Sequence, residues 1–179
     1  MTIGARATFV LLSLAAVVCP AWAQRRRDPL TPPEIDQLRD TAWEPEQRLK
    51  LYVKFARERL AAVQQARSDP KVTDRAQTTH DKLQDFLDVY DELNDNIDTY
   101  EERKSDLRKA LKTVIEADTE FQSKLRALKD SVTAAKEDTK DYEFLLSNAV
   151  EAVNNGAQDH RQLLAEQEEA FKHKRKEKE

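Results

Sequence analysis

The side chains of this chain best suited to proton transfer or metal ligation are His80, His160 and His173, and they lie far apart. A zinc or iron centre draws on His, Cys and carboxylate at close helical spacing, and neither His-x-x-x-His nor Glu-x-x-His occurs here. Glu169 and His173 are four residues apart and share one helix face, but in a basic tail where a solvated pair is expected. His160 falls on an apolar seam, as a satisfied core histidine or a buried pH-sensitive polar group would, and no partner for it is evident in the sequence. Nucleophilic catalysis on a strained turn and phosphate cradling both need glycines, and the chain has two, Gly4 and Gly156. The acidic stripe Asp81, Asp85, Asp88, Glu92, Asp95, Asp98 and Glu102 has helical spacing but no loop to wrap a cation with six to eight oxygens. These residues predict no catalytic, cofactor-binding or metal site, no cofactor, and no enzymatic activity. No small-molecule substrate is evident.

Nucleic acid is not an expected partner. The formal charge is −4, and Tyr52, Phe55, Phe86, Tyr90, Tyr100, Phe121, Tyr142, Phe144 and Phe171 are spread singly, as core filling places them rather than as a stacking platform. The basic runs at 25–27 and 172–176 offer at most a weak contact with anionic membrane or envelope polymer.

The N-terminal segment reads as a cleavable export signal: Arg6, an apolar run over 7–18, and the small-x-small site Ala21-Trp22-Ala23. Cleavage after Ala23 places the protein in the periplasm or outside the cell. The rival readings are a lipid anchor at Cys19, opposed by Val18 before it, and an uncleaved N-terminal membrane anchor with 25–27 on the cytoplasmic side. Cys19 is the only cysteine, so a cleaved chain has no disulfide to form. Removal of Arg6 takes the formal charge from −4 to −5. Charged residues make up 36% of the chain, against roughly 25% in ordinary domains, which is the composition of long solvated helices. The expected organisation is a signal over 1–23, a basic disordered leader over 24–30, one helical domain over 31–175 and a charged tail over 176–179.

The elements follow from caps and periodicity. Thr31-Pro32-Pro33-Glu34 matches a capping box with Pro at the first helical position, starting a short helix to about Thr41. Pro45 opens a second, with apolar residues at Leu49, Tyr52, Val53, Ala56, Leu60 and Val63. Asp69-Pro70 stops it and is expected to cap its antiparallel successor within two residues. From Lys71 to Asn155 there is no Gly or Pro, and one heptad ladder runs Phe86, Tyr90, Leu93, Ile97, Tyr100, Leu107, Leu111, Val114, Phe121, Leu125, Leu128, Val132, with Lys104 and Asp118 as polar interruptions. The unbroken phase favours a single helix of roughly 65 residues and ~98 Å. The alternative is a tight turn near 103–106. Asp138 or Thr139 caps a last helix with the seam Leu145, Ala149, Val153, Gly156, His160, Leu163, Gln167 and Phe171, in which Gly156 is a close-contact position facing Phe121.

The fold class expected is therefore all-α: an elongated antiparallel bundle or coiled coil of three main helices, four if the central one breaks, plus a short N-terminal helix. Charge adds a pairing rule, since 46–67 is basic and 81–102 carries nine acids against Lys82 alone. A fold back at Asp69-Pro70 sets Arg57 near Lys82, Lys54 near Asp85 and Lys50 near Val89. The function expected is non-enzymatic: an exported helical protein that binds another protein as adaptor, spacer or holdase. Self-association through unused seam faces, and an envelope-surface or anionic-membrane contact through the basic ends, are the alternatives.

Overall fold

The computed structural model describes residues 28–135 and 139–176, except for the side chains at 174 and 175. The expected signal, the arginines at 25–27, Asp138 and the end of the tail lie outside the described residues. Among the described residues five helices form: α1 Pro32–Asp40, α2 Pro45–Ser68, α3 Arg75–Glu102, α4 Arg108–Ala134 and α5 Glu143–Lys176. The described residues include no strand, and the all-α expectation holds.

Glu34 reaches back at the start of α1, its carboxylate accepting from the Thr31 backbone N–H at 2.7 Å and hydroxyl at 2.9 Å. The same carboxylate takes the Arg59 guanidinium of α2 at 2.6 Å, and Arg59 also donates to the Pro29 carbonyl at 3.0 Å. Lower down, Arg48 donates to the Leu38 carbonyl at 2.6 Å. Two arginines thus fasten α1 along α2. This third neighbour explains why Phe55, outside the expected stripe, is buried with Leu49, Tyr52, Val53, Ala56, Leu60 and Val63.

The turn after α2 departs from expectation. Asp69 does not cap the next helix; its carboxylate closes its own turn by accepting the Lys71 N–H at 2.8 Å, and Asp74 caps α3 by accepting the Gln77 N–H at 3.0 Å. The connection is therefore longer than two residues, which slides α3 along α2. Arg48 meets Asn96 at 2.8 Å and the Tyr100 hydroxyl meets the Ala42 carbonyl at 3.0 Å. The cross-helix charge pairing shifts with it: Lys50 and Lys54 bind Glu46 and Glu58 of their own helix, and Arg57 binds Glu120 of α4.

The favoured single long helix does not form. The chain breaks after Glu102, and the alternative turn near 103–106 is the one adopted. Lys104 takes φ 57°, the left-handed conformation usually given to Gly one residue past a helix end. Its N–H donates to the Glu101 carbonyl at 2.7 Å and the Ser105 N–H donates to the Tyr100 carbonyl at 3.0 Å, the two bonds that close such a terminus. A side chain in that conformation costs roughly 1–2 kcal/mol. The fold back repays it by setting the two halves of the apolar ladder face to face, with the Phe86 and Phe121 rings edge-on at 5.4 Å and Tyr90 and Phe121 at 6.2 Å. Burying one such side chain is worth about 1.5–3 kcal/mol. The ladder keeps its phase because both halves line one core.

Successive long helices alternate in direction. α2 packs on α3 and α4, and α5 on α4 and α3, so the ring order is α2, α3, α5, α4. The hairpins α2–α3 and α4–α5 therefore stack with α2 parallel to α4 and α3 parallel to α5, while consecutive α3 and α4 sit on a diagonal. Gln122 meets Asn154 at 3.0 Å and Lys112 meets Glu168 at 3.2 Å across the second hairpin.

Candidate functional site

Two polar positions of the apolar seams, Asp118 and His160, meet at the centre of the bundle. Asp118 of α4, in phase with Val114 and Phe121, points inward and is fully buried. A lone carboxylate there would be costly, and it is stabilised by two donors. The Tyr90 hydroxyl of α3 donates to its Oδ1 at 2.8 Å, and His160 Nδ1 of α5 lies 2.9 Å from its Oδ2. With Asp118 ionised, Nδ1 carries the proton, which directs the lone pair of a neutral imidazole to Nε2. Burial, and then the Asp118 charge beside it, push the Tyr90 phenol far above its ordinary value, so it stays a donor. One side chain from each of three helices is thereby locked together.

Gly156 adjoins this network. It stays helical within α5, as its place on the seam implies, but it faces Tyr90 and not Phe121. A Cβ at 156 would collide with the Tyr90 hydroxyl oxygen and lie 3.2 Å from Cε1 and Cζ. The glycine is what lets a tyrosine, reaching for Asp118, pass under α5. One turn further along the parallel pair, Asn94 of α3 and His160 of α5 line a groove of about 240 Å³, with Ile97 and Leu163 above them. The carboxylates Asp98, Glu101 and Asp159 stand at its rim.

Gln167, the remaining polar seam position, clamps the α3–α4 turn: its Oε1 accepts the Leu107 N–H at 2.8 Å and its Nε2 donates to the Ser105 carbonyl at 3.2 Å.

Comparison with protein-family models, curated proteins and solved structures found no match for this chain.

His160 is a core histidine 4% exposed, as its seam position indicates, and its partner Asp118 is what sequence reasoning missed. The available signal was that two polar residues interrupt facing apolar seams. The other histidines stay apart from this centre: His80 lies 3.3 Å from Asp81, and His173 lies 3.3 Å from Glu169 on an exposed face. Among the described residues no group of three or more His, Cys, Asp or Glu could hold a metal ion, and no helix is long and apolar enough to cross a membrane. The Asp–His pair has the form that orients an imidazole for proton transfer, but the described lining of the groove includes no hydroxyl or thiol to act as nucleophile.

Two aromatics expected in the core are outside it. Phe144, 83% exposed, sits on the first turn of α5, whose inward positions are taken by Tyr142, Leu145 and Leu146. Phe171, 49% exposed, lies where α5 reaches the loop end of the bundle and stacks under the Arg108 guanidinium at 3.6 Å. Trp43, in the α1–α2 turn, is 90% exposed. Three cations at that end have carboxylate partners: Arg108 with Asp106, Lys112 with Glu168 and Lys172 with Glu169. Arg108 holds the Asp106 carboxyl down to about 2.

Proposed function

We propose that this chain is an exported, non-enzymatic helical module that binds another protein in the periplasm or outside the cell. The observation that carries the reading is Trp43: a large amphipathic side chain presented almost wholly to solvent from a turn. Among the described residues the only other exposed large apolar side chains are Phe144 and Phe171. Tryptophan is the residue type most enriched at the energetic centre of protein interfaces, because it contributes large area at little entropic cost. The seam faces are occupied within the chain, which weighs against self-association through unused seams.

Placing a photo-crosslinking amino acid at Trp43 in the exporting cell tests this, with exposed Lys129, at the other end of the bundle, as control position. One discrete heterologous adduct, specific to position 43, is expected. Equal labelling from both positions, adducts only with a second copy, or adducts only with lipid would each count against the proposal.

A further inference from the structure

We infer that the groove between α3 and α5 is a binding site for a primary ammonium group carried by a small organic cation. Two residues lining the groove carry acceptor atoms that meet no donor among the described residues. Asn94 Oδ1 is buried without a hydrogen-bond partner. His160 Nε2 is bonded to no described residue, although the ring is nearly buried and fixed through Nδ1 to Asp118. In the tautomer whose proton sits on Nδ1, towards the Asp118 carboxylate, Nε2 is an acceptor. A buried acceptor without a donor costs about 1–3 kcal/mol, which a ligand N–H brought to Asn94 Oδ1 would recover, while a second N–H on the same nitrogen is available to His160 Nε2.

The charge around the groove selects the sign of the ligand. Asp98 and Glu101 from α3 and Asp159 from α5 stand at the rim, and none of the three forms an ion pair with a described residue. An ammonium, with three N–H donors on a compact positive centre, matches two interior acceptors and a rim carboxylate. A metal ion is a poorer match, since the described residues provide no cluster of ligands for one. The volume of about 240 Å³ equals roughly eight waters. That admits an aliphatic amine of a few carbons, whose chain would lie against Ile97 and Leu163. The site is independent of Trp43, so either proposal can fail alone.

Titrating the purified protein with butylammonium chloride at constant ionic strength, while following the His160 side-chain nitrogens by NMR, tests the inference. Tetramethylammonium chloride is the comparison, having the same charge and no N–H. The expected result is a saturable shift at Nε2 with butylammonium and none with tetramethylammonium. Asn94→Leu is expected to weaken binding about tenfold or more, and Asp98→Asn several-fold, with helicity retained by circular dichroism. Equal shifts with both salts would reduce the effect to unspecific charge attraction and overturn the site. So would a response that does not saturate, or an Asn94→Leu protein that binds as well as the original. Should Asn94→Leu not fold, the surface variant Asp98→Asn decides the matter in the same way.

Discussion

Asp118 holds the centre of the bundle because its two carboxylate oxygens meet groups from two other helices, the Tyr90 hydroxyl and His160 Nδ1. Replacing it with Asn keeps the volume but turns an amide N–H toward one of them. The expected cost is about 1–3 kcal/mol, read as a lower urea midpoint; an unchanged midpoint would mean the Tyr90 and His160 contacts do not matter energetically. Gly156 reports on the same network from the other side. In an isolated helix Gly→Ala gains about 1 kcal/mol, whereas here the added Cβ meets the Tyr90 hydroxyl. Gly156→Ala is therefore expected to destabilise by about 1–3 kcal/mol. Most of that cost should vanish in a Tyr90→Phe background, which a double-mutant cycle measures.

The helical stretches and the capping box of α1 are legible in the sequence, because α1, α2 and the seam of α5 carry their own punctuation and spacing, whereas the cap of α3 falls at Asp74 and not at Asp69. The break between α3 and α4 was not. It uses no Gly or Pro, and the ladder on both sides stays in phase because both sides face one core. Its only marks are Lys104, an interruption at a seam position, and Gln167, whose two hydrogen bonds to the turn come from sixty residues away in the chain and have no local signature. Lys104→Gly, which removes the left-handed penalty, is expected to stabilise the protein by about 1 kcal/mol in urea denaturation. If a continuous helix formed instead, the same change would destabilise it by a similar amount. The docking of α1 is the pH-sensitive joint between elements. Burial raises the Glu34 carboxyl, but the Arg59 guanidinium and the Thr31 hydrogen bonds outweigh that and hold it below its usual 4.5. A depressed carboxyl stabilises fully above the unfolded value and loses that contribution as pH falls through the folded one. The expected outcome is a loss of stability on acidification below about pH 4.5 that is smaller in Glu34→Gln; identical pH profiles for the two proteins would contradict it.

For the whole molecule, the two hairpins form one bundle in which non-adjacent seam positions carry distinct duties: Lys104 reverses the chain, Asp118 and His160 tie three helices, Gly156 admits Tyr90, and Gln167 secures the turn. Sequence periodicity indicated where these residues sit but not what they meet, since each contact joins helices whose relative register is set only on folding. The groove between α3 and α5 depends on that reversal. The most direct test places nitroxide labels at exposed positions 77 and 130, on α3 and α4, and measures their separation by pulsed electron spin resonance. With neighbouring helix axes about 8–10 Å apart, the folded-back bundle places the labels within ~35 Å of each other. A separation near ~80 Å, the span of an unbroken helix over the same residues, would contradict it.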